Sequence, residues 1–300
     1  MGLLPLVLKL PFIQPAMRLY LFCLLISVFP AAAHAVVAQQ AMRPGIPASA
    51  DYLIGEPGKP AVLLLHGFLQ TRDFPTVTTL ARGLQDAGYT VLAPTLSLNI
   101  PNRVQSLACE AVHRHSLDDD VAEIGRWVIW LKSHGHRSIV LVGHSFGSLQ
   151  LLAYLSLKPD AAVKAYVGAS LIEAQIGTAA RPALIAQLED RVVRKQRALV
   201  NQPLSFCKKY PSTPEGLLSY VRWDQARLLA ALKQSPVSAK LIMGDRDDVV
   251  ERGWLKALTL VEVPVVIVKG ANHFMDGAHE FDLLEHTLQS LDAIQQAPSR

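Results

Sequence analysis

The chain has 300 residues, half of them hydrophobic, with 29 basic against 25 acidic side chains and a net charge of +4. That is enough apolar material for one large domain or two small ones. Without Lys9 and Arg18, the only charges in the first 35 residues, 27 basic residues face 25 acidic ones, scattered along the chain, which excludes a nucleic-acid-binding footprint.

The N-terminus reads as a targeting segment. Met17-Arg18 precedes the apolar run Leu19 to Phe29, then Pro30 and Ala33-His34-Ala35. A positive start, an apolar stretch and a small-x-small site describe a signal peptide over residues 1–35, with residues 1–16 an extension if synthesis starts at Met17. An uncleaved membrane anchor is the competing reading, because residues 3–13 could lengthen the apolar span. Cys23 lacks the small preceding residue of a lipoprotein signal. Export leaves Cys109 and Cys207 in an oxidising compartment, either bridged or packed as free thiols.

Beyond the signal, residues 36–50 carry Ala, Gln and Pro and read as an extended leader, ahead of a domain over 51–296. Ala61 to Leu65 is a buried strand ending in His66-Gly67-Phe68. Thr76 to Ala87 has helical spacing and stops at Gly88; Tyr89 to Pro94 is the next strand. Residues 96–116 form an irregular excursion with Cys109, His113 and His115. Ser116 to Asp120 supply a cap and first-turn acids for a helix running to Ser133.

Ser138 to Val142 is a short, β-branched strand, and Leu149 to Leu155 a helix. Between them stands Gly143-His144-Ser145-Phe146-Gly147. A serine between glycines at a strand-to-helix turn is a nucleophile elbow: the turn strains the serine backbone and aims its hydroxyl out of the sheet at a helix N-terminus. Val163 to Gly168, Leu241 to Met243 and Val263 to Val268 are further strands, and Glu280 to Leu291 is a helix. Uniformly apolar strands alternating with helices predict an α/β fold with a mostly parallel sheet covered on both faces. Leu171 to Ser235 has helical patterning and no strand, which predicts a helical cap insertion at about 171–236 over the carboxyl edge of the sheet, where ligands bind in such folds.

A serine hydroxyl needs a base, and His273 has the best context of the ten histidines, on the loop Gly270 to Phe274 after a late strand. The base needs a carboxylate partner, and the loop after Met243 offers Asp245, Asp247 and Asp248. Here the chain resembles the α/β-hydrolase family over roughly residues 52 to 295. The order nucleophile, acid, base matches the family, and its G-x-x-D pattern from Gly244 selects Asp247. Asp248 and Asp245 are fallbacks, and Glu173 stands where some members carry the acid instead. The resemblance also implies an oxyanion hole from the backbone amides of Phe68 and Phe146, with His66 propping the turn. Ser148 departs from the further glycine that many members have.

The expected function is that of an exported serine hydrolase, periplasmic or secreted, cleaving carboxylic esters through an acyl-enzyme on Ser145, His273 and Asp247. It calls for no cofactor and no metal; His113, His115 and Cys109 lack a second ligand cluster. The same triad acting on thioester, amide or C–C bonds, or in acyl transfer, is the alternative. A non-catalytic binding protein of the same fold is the reading from another class. The partner is a small ester or acyl substrate. Arg191, Arg194, Lys195 and Arg197 on a cap helix read as a solvated face, with a peripheral membrane contact or an anionic substrate as the sharper option.

Overall fold

The computed structural model describes residue 2 and residues 35–173, 180–251 and 253–296. The signal-peptide reading of residues 1–35 lies, apart from Gly2 and Ala35, outside them. Eight strands make one sheet in the order β1-β2-β4-β3-β5-β6-β9-β10. The strands are β1 (Val36–Arg43), β2 (Ile46–Leu53), β3 (Ala61–Leu65), β4 (Val91–Pro94), β5 (Ile139–His144), β6 (Val163–Ala169), β9 (Ser238–Gly244) and β10 (Val265–Val268). From β4 to β10 every pairing is parallel, and only the β1–β2 hairpin and its junction with β4 are antiparallel.

Strands β3, β4 and β5 are buried at every position, as strands covered on both faces must be. On one face, α1 (Pro75–Asp86) and α8 (His279–Gln296) bring Val77, Leu80, Leu84, Leu283 and Leu291 against Val62, Leu64, Val140 and Val142. On the other, α2 (Leu117–Ser133) and α3 (Phe146–Leu157) pack Trp127, Leu131, Leu149 and Leu152 against Leu63, Leu65 and Leu141. Helix α2 starts where the sequence places its cap: Ser116 and Asp119 form a reciprocal capping box.

Two expectations are corrected. Residues 36–50 are no leader: they form β1 and most of β2, the edge hairpin of the main sheet. Its turn is Pro44-Gly45, and the φ of +76° at Gly45 suits the position that demands a left-handed residue. The insertion is also not wholly helical. It holds α4 (Arg181–Val193), α5 (Pro214–Val221) and α6 (Gln225–Lys233), together with a separate antiparallel hairpin of β7 (Val200–Leu204) and β8 (Cys207–Ser212). Pro203 and Pro211, inside those strands, weaken the strand signal, and a two-stranded ribbon tolerates them because each strand has a free edge. Helix α4 ends before Lys195 and Arg197, which lie exposed on the following loop with Arg194. Among the described residues no helix is long and apolar enough to cross a membrane.

Candidate active site

Strand β5 delivers Ser145 to the sheet's carboxyl edge with φ 57° and ψ −126°, outside the regions a residue with a Cβ prefers. The strained turn is held by its neighbours. The Ser145 amide donates to the Ala169 carbonyl at 2.8 Å. The Ser148 hydroxyl donates toward the carbonyls of Gly143 at 2.7 Å and Ala169 at 2.9 Å. It therefore ties the start of α3 to both β5 and β6. Gly147 lets α3 pass the end of β3: a Cβ there would sit 2.7 Å from the Leu65 carbonyl oxygen and closer still to that of His66.

The loop after β10 brings His273 to within 2.7 Å, Nε2 to Oγ, of Ser145. Its other nitrogen, Nδ1, lies 2.7 Å from Oδ2 of Asp247 on the loop after β9. The Asp247 side chain is 1 % exposed. Its second oxygen accepts from the amides of Val249 at 3.0 Å and Val250 at 3.3 Å, so the carboxylate is oriented from both ends. The other acids have different work. Asp245 accepts from the Gly270 amide at 2.6 Å and braces the histidine loop. Asp248 is exposed. Glu173 is engaged by Arg181 at 2.9 Å, and burial pushes its carboxyl up. The structure thus brings Ser145, His273 and Asp247 together and leaves Glu173 in a separate ion pair.

Phe68 follows β3 and Phe146 opens α3, and among the described residues neither backbone amide has a hydrogen-bond partner. Between those segments His66 is wholly buried. Its Nδ1–H donates to the Gly67 carbonyl at 2.8 Å and its Nε2 accepts from the Leu96 amide at 3.1 Å. Burial, reinforced by Arg103, pushes its pKa down to about 3, so the ring is a neutral prop. Sequence reasoning passed over His144. Its Nε2 donates to the backbone carbonyl of His273 at 2.9 Å, and burial lowers its pKa to about 4. This residue anchors the His273 loop to the strand that carries Ser145. His113 and His115 enter a polar cluster: His113 stacks on Tyr210, and His115 bridges the hydroxyls of Tyr220 at 2.7 Å and Tyr210 at 3.1 Å. Cys109 and Cys207 form a disulfide with Cα atoms 5.3 Å apart.

A serine, a histidine and a carboxylate in one hydrogen-bonded line can activate a hydroxyl. The family model described as "Alpha/beta hydrolase family" matches residues 62–282. The chain belongs to that family. Solved structures share this alpha/beta hydrolase's fold at low identity. The alpha/beta hydrolase GrgF from Penicillium sp. sh18 is 15% identical with a TM-score of 0.67, covering 88% of this chain and 100% of that one. The thioesterase domain from the curacin biosynthetic pathway is 19% identical with a TM-score of 0.58, covering 87% and 99%. A thermophilic esterase from Thermogutta terrifontis is 15% identical with a TM-score of 0.59, covering 88% and 100%. No curated protein sequence matches this alpha/beta hydrolase. Among its described residues no group of three or more His, Cys, Asp or Glu could hold a metal.

Proposed function

We propose that this alpha/beta hydrolase is an exported serine hydrolase that cleaves carboxylic esters through an acyl-enzyme. One observation carries the reading: His273 spans Ser145 and Asp247 with two contacts of 2.7 Å, each on its own ring nitrogen. That arrangement matches the chemical need. Asp247 fixes the tautomer with the proton on Nδ1, leaving Nε2 free to take the Ser145 proton as Oγ attacks the acyl carbon. The carbonyl oxygen becomes an oxyanion between the amides of Phe68 and Phe146. His273 then protonates the departing alcohol. A water, deprotonated by the same nitrogen, hydrolyses the acyl-Ser145 ester, releases the acid and returns the proton to the serine. These steps use the chain's own groups and no cofactor.

Two features support export. The Cys109–Cys207 bond belongs to a class that persists in oxidising compartments. Strand β1 begins at Val36, so cleavage after Ala35 would spare every described strand. The test is labelling with a fluorophosphonate, which should modify Ser145, together with initial rates on p-nitrophenyl esters and matched acyl thioesters. Turnover of esters with a Ser145 adduct is the expected result. No adduct in folded protein would overturn the catalytic reading, and thioester rates far above ester rates would reassign the substrate. Protein purified from its native host should begin at Val36; a mature chain retaining Leu19 to Phe29 would favour the anchor.

A further inference from the structure

Phe206 sits at the turn of the β7–β8 hairpin with 59% of its surface exposed, an unusual place for a phenylalanine. Its ring meets that of Phe68 edge-on, with centroids 5.6 Å apart and planes at 86°. Phe68 in turn lies against Phe146 at 4.7 Å and Tyr210 at 5.7 Å, and Phe146 against Tyr220 at 5.7 Å. A Cβ on Gly67, next to Phe68, would sit 3.3 Å from that of Ser145, and Phe146 follows Ser145 in the chain, so a continuous run of aromatic contacts leads from beside the serine to the surface. The hydroxyls of Tyr210 and Tyr220 point out of this run, toward His115 and Asp120. Phe68, Phe146, Tyr210 and Tyr220 are buried, so Phe206 is the ring of this set that a ligand can reach.

We propose that Phe206, with Phe68 behind it, forms a subsite for an aryl group of the ester substrate. This deepens the serine-hydrolase reading and rests on it. An aryl ring completes the edge-to-face set that Phe206 leaves open, which a linear chain of equal size cannot do. The subsite is preorganised. Cys207, the next residue, is tied to Cys109. The His113 amide donates to the Pro211 carbonyl at 2.8 Å, and the His113 ring stacks on Tyr210 at 4.0 Å. The hairpin tip is thus held in position before substrate arrives.

The experiment compares kcat/KM for p-nitrophenyl phenylacetate with p-nitrophenyl octanoate, which match in acyl carbon number, and for benzyl with heptyl butyrate, which match in the alcohol. The wild type should favour the aryl member of at least one pair by about tenfold. Phe206→Ala should remove that preference, mainly through KM. Phe206→Leu should recover only part of it and Phe206→Tyr most of it. Phe281→Ala, at an exposed position on α8, should leave the ratio unchanged. Cys109→Ser with Cys207→Ser should shrink the preference several-fold. Equal rates on aryl and linear members of both pairs, or a preference that survives Phe206→Ala, would overturn the subsite while a fluorophosphonate still labels Ser145. Absence of labelling in wild type would take down the hydrolytic reading and the subsite with it.

Discussion

Gly147→Ala tests whether the packing between α3 and the end of β3 sets the active geometry. The added methyl would meet the Leu65 carbonyl oxygen at 2.7 Å and that of His66 closer still, where ordinary contact begins at 3.4 Å, so helix and strand must separate by more than about 0.7 Å. The obstacle is backbone on both sides, which cannot rotate away. Overpacking of this kind costs about 1–3 kcal/mol of stability. The functional cost should be larger. Phe146 rides on the helix and Phe68 on the strand exit, so the same displacement pulls the two amides apart. Misplacing one oxyanion donor typically costs about 10²–10³ in rate. The expected result is a kcat lowered by about 10² with KM little changed, because the lost interaction exists only in the transition state. Steady-state kinetics on a short-chain ester, with urea unfolding on the same sample, separates the two effects. A folded Gly147→Ala protein with wild-type kcat would refute the coupling between packing and catalysis.

Four further outcomes are expected. Asp247→Asn should lower kcat by roughly 10²–10⁴ while Glu173→Gln leaves turnover near wild type; the reverse pattern in steady-state rates would transfer the acid role. Ser145→Ala and His273→Ala should each be nearly as damaging as the pair together. Replacing both Cys109 and Cys207 by Ser should cost up to about 5 kcal/mol in urea unfolding, from the loop entropy of a separation of 98 residues, and two reactive thiols in unreduced, unfolded protein would exclude the bond. Acid should destabilise the fold through its buried imidazoles. An unfolded histidine takes a proton below pH 6.5 that His144 refuses until about pH 4, so stability is lost as pH falls through that window. By pH 5 the loss is about 2 kcal/mol for His144, at ~1.4 kcal/mol per pH unit of unequal protonation. Burial pushes the carboxyls of Glu123 and Glu173 up, and these offset part of the fall. The readout is therefore the difference between wild type and His144→Gln, whose stability should drop less between pH 7 and pH 5.

The elbow was legible because its constraints are local: a β-branched run, two glycines and a helix within twenty residues. His273 was legible for the same reason, from its loop after an apolar strand. Composition alone did not separate Asp245, Asp247 and Asp248; the G-x-x-D resemblance selected Asp247, and the loop's path puts that carboxylate against the histidine. His144 escaped because its partner is the carbonyl of a residue 129 positions away. Ser148 read as a departure from pattern, whereas its hydroxyl is a tie between strands. Strand β1 was missed because it buries only Ala38 and Met42 and exposes Val36, Val37, Gln39 and Ala41, without the apolar–polar alternation of a half-buried strand. Its clearest signal was the Pro44-Gly45 turn. Hairpin β7–β8 was hidden by its prolines.

The sulfur bridge also draws a covalent ring, and the ring divides the candidate active site. Ser145 and Phe146 lie within the segment closed by Cys109 and Cys207; Phe68, Asp247 and His273 lie outside it. The exposed loop carrying Arg194, Lys195 and Arg197 is inside the ring as well, a ready target for a trypsin-like protease. A cut there would sever the polypeptide without releasing either fragment. The piece bearing Ser145 would stay joined to the piece bearing Asp247 and His273. Nicked molecules would run as one band on a gel without reductant and as two with it. The working life of such a molecule would be set by reduction and not by the first cut.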